Sequence, residues 1–475
     1  MTSYMQGVAR DQATLFPQRL DELIAAESLV RVVDEYVNLA VDVRALGFEK
    51  AVPERTGRPA YDPRDLLKLY LYGYLNRTRS SRRLEQECHR NVEVLWLLRQ
   101  LRPDFKTIAD FRRDNRAALV KVCRGFVEFC RSQQLFGAEL VAIDGSKFAG
   151  QNSPQRAYTR GQIKKAGEEL DKRIAKYLAQ LDEADAAEPA GEVTTGDARA
   201  ALAALQEKRA DMAQKLLLME AMNLTQVTST DPDTRLMRGA RGGIVVGYNV
   251  QVAVDSQHGL IAHHAVTQDA SDQNQLAAVA EGAKEALGVE QLDVTADAGY
   301  GDAQEFQRCE DKAITPYVPH PRSVNTRGEF FDKSRFVYQP ESDTYRCPAG
   351  KTLRFHSASI PRQASNYVGI ACEGCAVKAQ CTTADARWVT RHRHEGALER
   401  AAARMKQRPG IMKQRGALVE HPFGIIKAMM GFPRFLCRGL PAVAAEMALS
   451  VTAFNLKRLA TILGVDGLLR RLAAA

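Results

Sequence analysis

The stretch ELVAIDGSKF, residues 139–148, is where the chain changes character. Ahead of it apolar residues recur every three or four positions. Inside it they run together and stop at an acid, Asp144, followed by Gly145 and Ser146. A strand with a buried body and an emerging C-terminal end reads this way. Three more runs do the same: GGIVVGYNVQVAVD (242–255), GLIAHHAVTQ (259–268) and QLDVTADAGY (291–300). Between the last two, QNQLAAVAEGAKEALG (273–288) has helical spacing. Three strands, a helix and a strand predict the α/β class, with a mixed sheet flanked by helices.

Upstream, residues up to about 136 read as helical. DPRDLLKLYLYGYL (62–75) has Asp62 as N-cap and Pro63 at the first helical position. Segments 80–98 and 106–135 follow with the same period. Arg82, Arg83, Arg112, Arg113 and Arg116 fit a helix-turn-helix surface for DNA, and a plain helical bundle explains the same pattern. Within the α/β region, 163–222 carries two apolar stripes, Ile163 to Leu181 and Leu202 to Met219, separated by AEPAGEVTTG. An inserted antiparallel helical hairpin is predicted, its stripes forming a seam or meeting another subunit. GARGGIVVG (239–247) lacks the order of a phosphate loop and reads as a turn.

At 475 residues the chain exceeds one compact core. Its formal charge is +9 and its pI about 9.0. From Arg387 onward there are 16 Lys and Arg against 5 Asp and Glu, so the excess sits in the C-terminal fifth. Such a run fits a polyanionic partner or a solvated helix face. The start, MTSYMQGVARDQATLF, has no signal-peptide pattern, and AVAAEMALSVTAFNL (442–456) is too short and too interrupted for a membrane span. A cytoplasmic location and no membrane partner are expected.

The nine cysteines argue against a disulfide framework. Cys88, Cys123, Cys130, Cys309 and Cys437 are scattered among apolar neighbours. Cys347, in CPAGKTLRF, and Cys372, Cys375 and Cys381, in CEGCAVKAQC, supply four thiols with one C-x2-C pair. They fit a structural zinc ribbon, with a metal-free loop as the alternative.

Asp144 and Asp297 both end apolar strands, at the sheet edge where ligands of α/β proteins bind, although each also fits the start of a turn. The third acid is Glu420, in GALVEHPFGIIK (416–427). Three carboxylates suit two Mg²⁺ (or Mn²⁺) ions that stabilise a phosphodiester displacement. Lys427, seven residues on, is predicted on the same helix face as Glu420, near enough to grip a phosphate, with Arg415 on the same backbone. Pro422 marks either a first turn or a kink.

IDGSKF around Asp144, STDPDTRLMRG followed by GYNVQVAVD, ADAGYGD around Asp297 and VEHPFGIIK around Glu420 occur in this order. Together with the tail SVTAFNLKRL (450–459) they resemble the bacterial insertion-sequence transposases of the DDE type. The resemblance runs nearly end to end. It implies a ribonuclease-H-like core in which Asp144, Asp297 and Glu420 hold two divalent metals per active site. It implies cleavage at the element's terminal inverted repeats and joining of the freed 3′-hydroxyl to target DNA. A homodimer or higher oligomer on double-stranded DNA, in the bacterial cytoplasm at the nucleoid, is also implied. A related subgroup sets a tyrosine and an arginine ahead of the glutamate and lysine. The Glu420-to-Lys427 interval matches that pattern, Arg415 lies one residue too far, and Met412 stands at the tyrosine position.

The expected organisation is a helical DNA-binding domain (1–136) and a catalytic core made of 137–162, 223–325 and 387–460. The helical hairpin (163–222) and a Cys-rich, zinc-ribbon-like insertion (326–386) interrupt that core, and a short tail (461–475) follows. Two other readings are a metal-dependent nuclease that cuts without joining and a catalytically inactive, transposase-derived DNA-binding protein.

Overall fold

A computed structural model describes residues 19–474 apart from 55, 57–58, 155–156, 188–195, 240–241 and 320–329, with backbone only for 181–187 and 196–199. The connector AEPAGEVTTG and part of GARGGIVVG therefore lie outside the described residues, as does the start of the chain.

Six helices come first: α1 (Leu29–Ala40), α2 (Pro63–Leu75), α3 (Ser81–Arg90), α4 (Val92–Leu97), α5 (Phe105–Asp114) and α6 (Arg116–Ser132). Their starts follow capping chemistry. Asp62 accepts from Arg64 N at 2.9 Å with Pro63 behind it, Asn91 accepts from Glu93 N at 3.0 Å, and Asp104 accepts from Thr107 N at 2.8 Å.

The chain then extends. β1 (Leu140–Ala149) and β2 (Ala157–Thr159) lead into the hairpin α7 (Arg160–Ala187) and α8 (Gly196–Ala221), closed at its base by β3 (Gln226–Thr228) pairing with β2. The strands β4 (Arg235–Arg238), β5 (Ile244–Asp255) and β6 (Ile261–Thr267) follow, then α9 (Leu276–Leu287), β7 (Leu292–Thr295), α10 (Ala303–Asp311) and β8 (Ile314–Tyr317).

The main sheet runs β4-β5-β1-β7-β8. β1 is antiparallel to β5 and parallel to β7, and β7 is parallel to β8. The outer edge of β5 is shared, β4 taking Ile244 to Gly247 and β6 taking Asn249 to Val254. β5 is buried from Val246 to Asp255, which explains its near-continuous apolar composition. β1 is buried from Leu140 to Ile143 and partly exposed from Asp144, but it does not end at that acid as expected: its pairing with β5 continues to Ala149.

The cysteine-rich segment folds as a separate antiparallel sheet of β9 (Val337–Gln339), β10 (Thr344–Arg346), β11 (Thr352–Ser359), β12 (Ala364–Gly369) and β13 (Trp388–His392). It has its own small core of Phe336, Tyr345, Leu353, Tyr367 and Val389. After it come α11 (Glu395–Gln407) and α12 (Ile411–Gly424), with Pro422 inside α12. Ile425–Met429 then forms a π turn, and α13 (Leu440–Ala473) closes the chain. Pro422 has no N–H to give the preceding turn, which favours the wider winding that follows.

α13, kinked at Gly464, is the axis of the molecule. It packs against α1, α2 and α6 on one side and β6 on another, so the N-terminal helices and the main sheet share one apolar core. By length and composition it could cross a membrane. Its polar groups are instead satisfied inside the fold: Asn455 Nδ2 donates to Ile261 O at 2.9 Å, and Glu446 is fully buried and hydrogen-bonded.

Candidate active site

The parallel register of β1 and β7 pairs Ala142 with Thr295. Two residues beyond that pair stand Asp144 on one strand and Asp297 on the other. Equal offsets on neighbouring parallel strands send two side chains to the same edge and the same face. The acids, 153 residues apart in sequence, therefore meet. Asp297 also caps a 3₁₀ turn, Ala298–Tyr300, through Oδ1 accepting from Gly299 N at 2.8 Å.

A cation from α12 completes the pair. Arg415 Nη2 donates to Asp144 Oδ1 at 2.7 Å and lies 3.6 Å from Asp297 Oδ2. Arg415 Nε is buried with no acceptor among the described residues. Burial pushes the Asp144 carboxyl up to about 6; the Arg415 charge opposes this, and the Asp297 charge adds to it.

Lys427, from the π turn, approaches from the other end. Its Nζ donates to Ser146 Oγ at 2.6 Å and Lys147 O at 2.8 Å, and sits 4.3 Å from the centre of the Phe148 ring. Burial lowers its pKa to about 8 against the pull of Asp144. Arg77, at the end of α2, holds the π turn from outside by donating to Met429 O and Ala428 O.

Glu420 is not joined to this group. It is exposed, and no ion pair or hydrogen bond links it to Arg415, Lys427 or the aspartates among the described residues. Nor is any group of three His, Cys, Asp or Glu side chains there arranged to hold a metal ion. The expectation of three assembled carboxylates is thus met by two in this conformation. The reason lies in helical phase: five residues turn the chain by roughly 500°, so with Arg415 facing the aspartates Glu420 points about 140° away. The predicted shared face of Glu420 and Lys427 likewise assumed uninterrupted α-turns, and the π turn breaks that phase.

Sequence reasoning missed a polar layer beneath the pair. Asp272 Oδ1 accepts from Lys147 Nζ at 3.0 Å, Asn249 Nδ2 at 2.7 Å and Gln251 Nε2 at 2.7 Å. The buried Tyr300 hydroxyl donates to Gln251 Oε1, tying the Asp297 turn to β5 and so to β1. Gly145 leaves room for it: a Cβ there would fall 2.4 Å from Gln251 Nε2 and 2.5 Å from Asp272 Oδ1. The available signal was Asn249 and Gln251, two amides inside an otherwise apolar run.

The two N-terminal arginines expected at DNA differ. Arg112 is half-buried, its guanidinium 5.4 Å from the Tyr70 ring centre and its Nη1 shielded without a partner. Arg113 is exposed and paired with Asp110 at 2.6 Å and Asp114 at 2.8 Å.

Cys347, Cys372, Cys375 and Cys381 line one cavity of about 30 Å³. Lys351 N donates to Cys347 Sγ at 3.3 Å and Arg387 N to Cys372 Sγ at 3.5 Å. Burial raises the Cys381 thiol pKa, and the three neighbouring cysteines add to that.

The family model described as Transposase domain (DUF772) matches residues 18–114, and that described as Transposase DDE domain matches residues 346–460. No curated protein matches. Among solved structures, a piggyBac transposase synaptic complex with hairpin DNA is 9% identical, with 94% of this chain and 76% of that chain covered and a TM-score of 0.32. Transposase models matched over the N-terminal helices and again across the segment that carries Arg415, Glu420 and Lys427 together support an insertion-sequence DDE transposase.

Proposed function

We propose that this transposase binds the terminal inverted repeats of its element, cleaves there with divalent metal, and joins the freed end to target DNA by a two-metal DDE mechanism. The observation that carries this reading is the meeting of Asp144, midway along β1, with Asp297, two residues past the end of the parallel strand β7, on either side of Arg415. The strand order, three antiparallel strands continued by two parallel ones, supports a ribonuclease-H-like core.

Carboxylates are the preferred donors for Mg²⁺ and Mn²⁺, so Asp144 and Asp297 suit such an ion in kind. The third expected ligand, Glu420, does not fit in this conformation. When bound, a metal pair would stabilise charge on the attacking and leaving oxygens. Lys427 and Arg415 would offer positive charge to the DNA backbone beside the aspartates, with Arg113 and the basic residues of α11 and α12 extending that field. The protein would act as a dimer or larger assembly on paired ends, at the nucleoid in a bacterial cytoplasm. Cys347, Cys372, Cys375 and Cys381 would hold a structural zinc once their thiols draw together, a reading supported by their common cavity and by two N–H donors to sulfur.

The test is incubation of purified protein and Mg²⁺ with duplex DNA carrying the flanking inverted repeats, comparing wild type with Asp297→Asn. Cleavage at the repeat ends by wild type alone is expected, as is joining of a pre-cut end to a target duplex. Cleavage without joining would make the protein a nuclease. Binding without cleavage would make it an inactive descendant, and equal activity in Asp297→Asn would overturn the site.

A further inference from the structure

Arg415 stands where a divalent ion would have to stand. One guanidinium nitrogen lies 2.7 Å from Asp144 Oδ1 and 3.6 Å from Asp297 Oδ2, so it already neutralises the oxygens that a metal would use. The Arg415 side chain is only 12% exposed, while the carboxylates it faces stay partly open to solvent. Yet the guanidinium is incompletely satisfied, because its buried Nε has no acceptor among the described residues. An arginine in this state has a better alternative in a phosphodiester, whose oxygens accept its planar fork of donors in pairs. Glu420, which faces away while Arg415 faces in, reports the same arrangement from further along the helix.

We propose that Arg415 is an internal counter-ion of the Asp144–Asp297 pair, released to a DNA phosphate, so that DNA docking and metal loading are coupled. This rests on the reading of the two aspartates as the metal-holding pair. Without DNA, metal competes with a tethered cation and binds weakly. With DNA present, Arg415 exchanges its carboxylate for phosphate and the aspartates become available. Coupling of this kind is reciprocal, so metal strengthens DNA binding by the same factor. Its consequence is that the protein does not carry a loaded catalytic centre until a duplex is in place.

The experiment is Mn²⁺ binding, followed by calorimetry and by the electron paramagnetic resonance of free Mn²⁺. It is run with and without a short duplex of arbitrary sequence, and binding to DNA alone is subtracted. The variants are Arg415→Gln, Arg308→Gln and Asp297→Asn. Arg308→Gln removes a positive charge from α10, where Arg308 pairs with Glu305. Without DNA, Arg415→Gln is expected to bind Mn²⁺ roughly tenfold more tightly than wild type, within the usual range of site-to-site coupling. Arg308→Gln should behave as wild type. The duplex should tighten Mn²⁺ binding in wild type and leave Arg415→Gln nearly unchanged. Arg415→Met is measured in the same way should Arg415→Gln fail to fold. An unchanged or weaker affinity in the Arg415 variants, an equal gain in Arg308→Gln, or a duplex effect that survives without Arg415 would each overturn the proposal. If Asp297→Asn loses Mn²⁺ binding while Arg415→Gln is unchanged, only the counter-ion role falls. If Asp297→Asn binds like wild type, the metal-site reading falls and the proposal falls with it.

Discussion

Arg79 and Glu446, 367 residues apart, form an ion pair at 3.2 Å in the interior, the arginine from the turn after α2 and the glutamate from α13. Glu446 also accepts from Leu436 N at 2.9 Å and Cys437 N at 2.9 Å. Three donors therefore converge on one buried carboxylate, and Arg79 further stacks 4.4 Å from the Phe432 ring centre.

Removing that carboxylate leaves a buried cation and two orphaned amides. Glu446→Ala is expected to cost about 3–5 kcal/mol of stability, read as a shift in the urea midpoint by circular dichroism. Glu446→Gln, which keeps one acceptor oxygen but no charge, should cost less. Equal midpoints for wild type and Glu446→Ala would show that the pair is not holding the helices to α13.

Gly145→Ala brings a methyl group against Gln251 and Asp272, which are themselves held by Lys147, Asn249 and Tyr300. Overpacking of this kind is expected to cost roughly 1–3 kcal/mol and to lower end cleavage by displacing Asp144. Gly161→Ala, in the first turn of α7 with nothing near its Cβ, should be neutral or slightly stabilising. A harmless Gly145→Ala would mean that the polar layer yields easily.

His263 and His264, on β6, are half-buried, with His264 Nδ1 3.9 Å from Cys123 Sγ. Burial lowers their pKa values to about 4 and about 3, from the ordinary 6.5, with Arg124 adding to the effect. The folded state thus prefers both rings neutral. Their contribution is whole above 6.5 and is lost as pH falls toward those lower values. Moving from about pH 7 to about pH 5 should remove roughly 2 kcal/mol of stability for each of the two rings. His264→Gln should lose less over the same interval. Matching pH profiles for the two proteins would exclude the histidines as the cause.

Protein purified without chelator is expected to carry about one zinc ion per chain, as a four-thiolate site would. Cys375→Ser should lose it and lower the melting temperature of the β9–β13 sheet, whose small core has few apolar residues to replace the metal. Metal analysis of the wild-type protein that finds no zinc would dispose of the site.

What the sequence determined by itself was the local and periodic part of the structure. The buried half of the strand up to Asp144, the Asp62–Pro63 helix start, the hairpin of α7 and α8 and the four grouped cysteines all follow from neighbours within a few residues. Caps, turns and burial periods act at that range. The chain order of the acidic blocks also made Asp144 and Asp297 candidates, and the parallel register of β1 and β7 then set them level. Tertiary structure alone decided what faced them. Arg415 rather than Glu420 points at the aspartates because helical phase magnifies small differences in spacing, and a proline followed by a π turn resets that phase. Arg112 turned inward because Tyr70 lies beside it in space, 42 residues away in the chain. The layer of Asp272, Gln251 and Tyr300 was hidden for the same reason: each residue reads as an ordinary polar side chain until the fold buries them against one another.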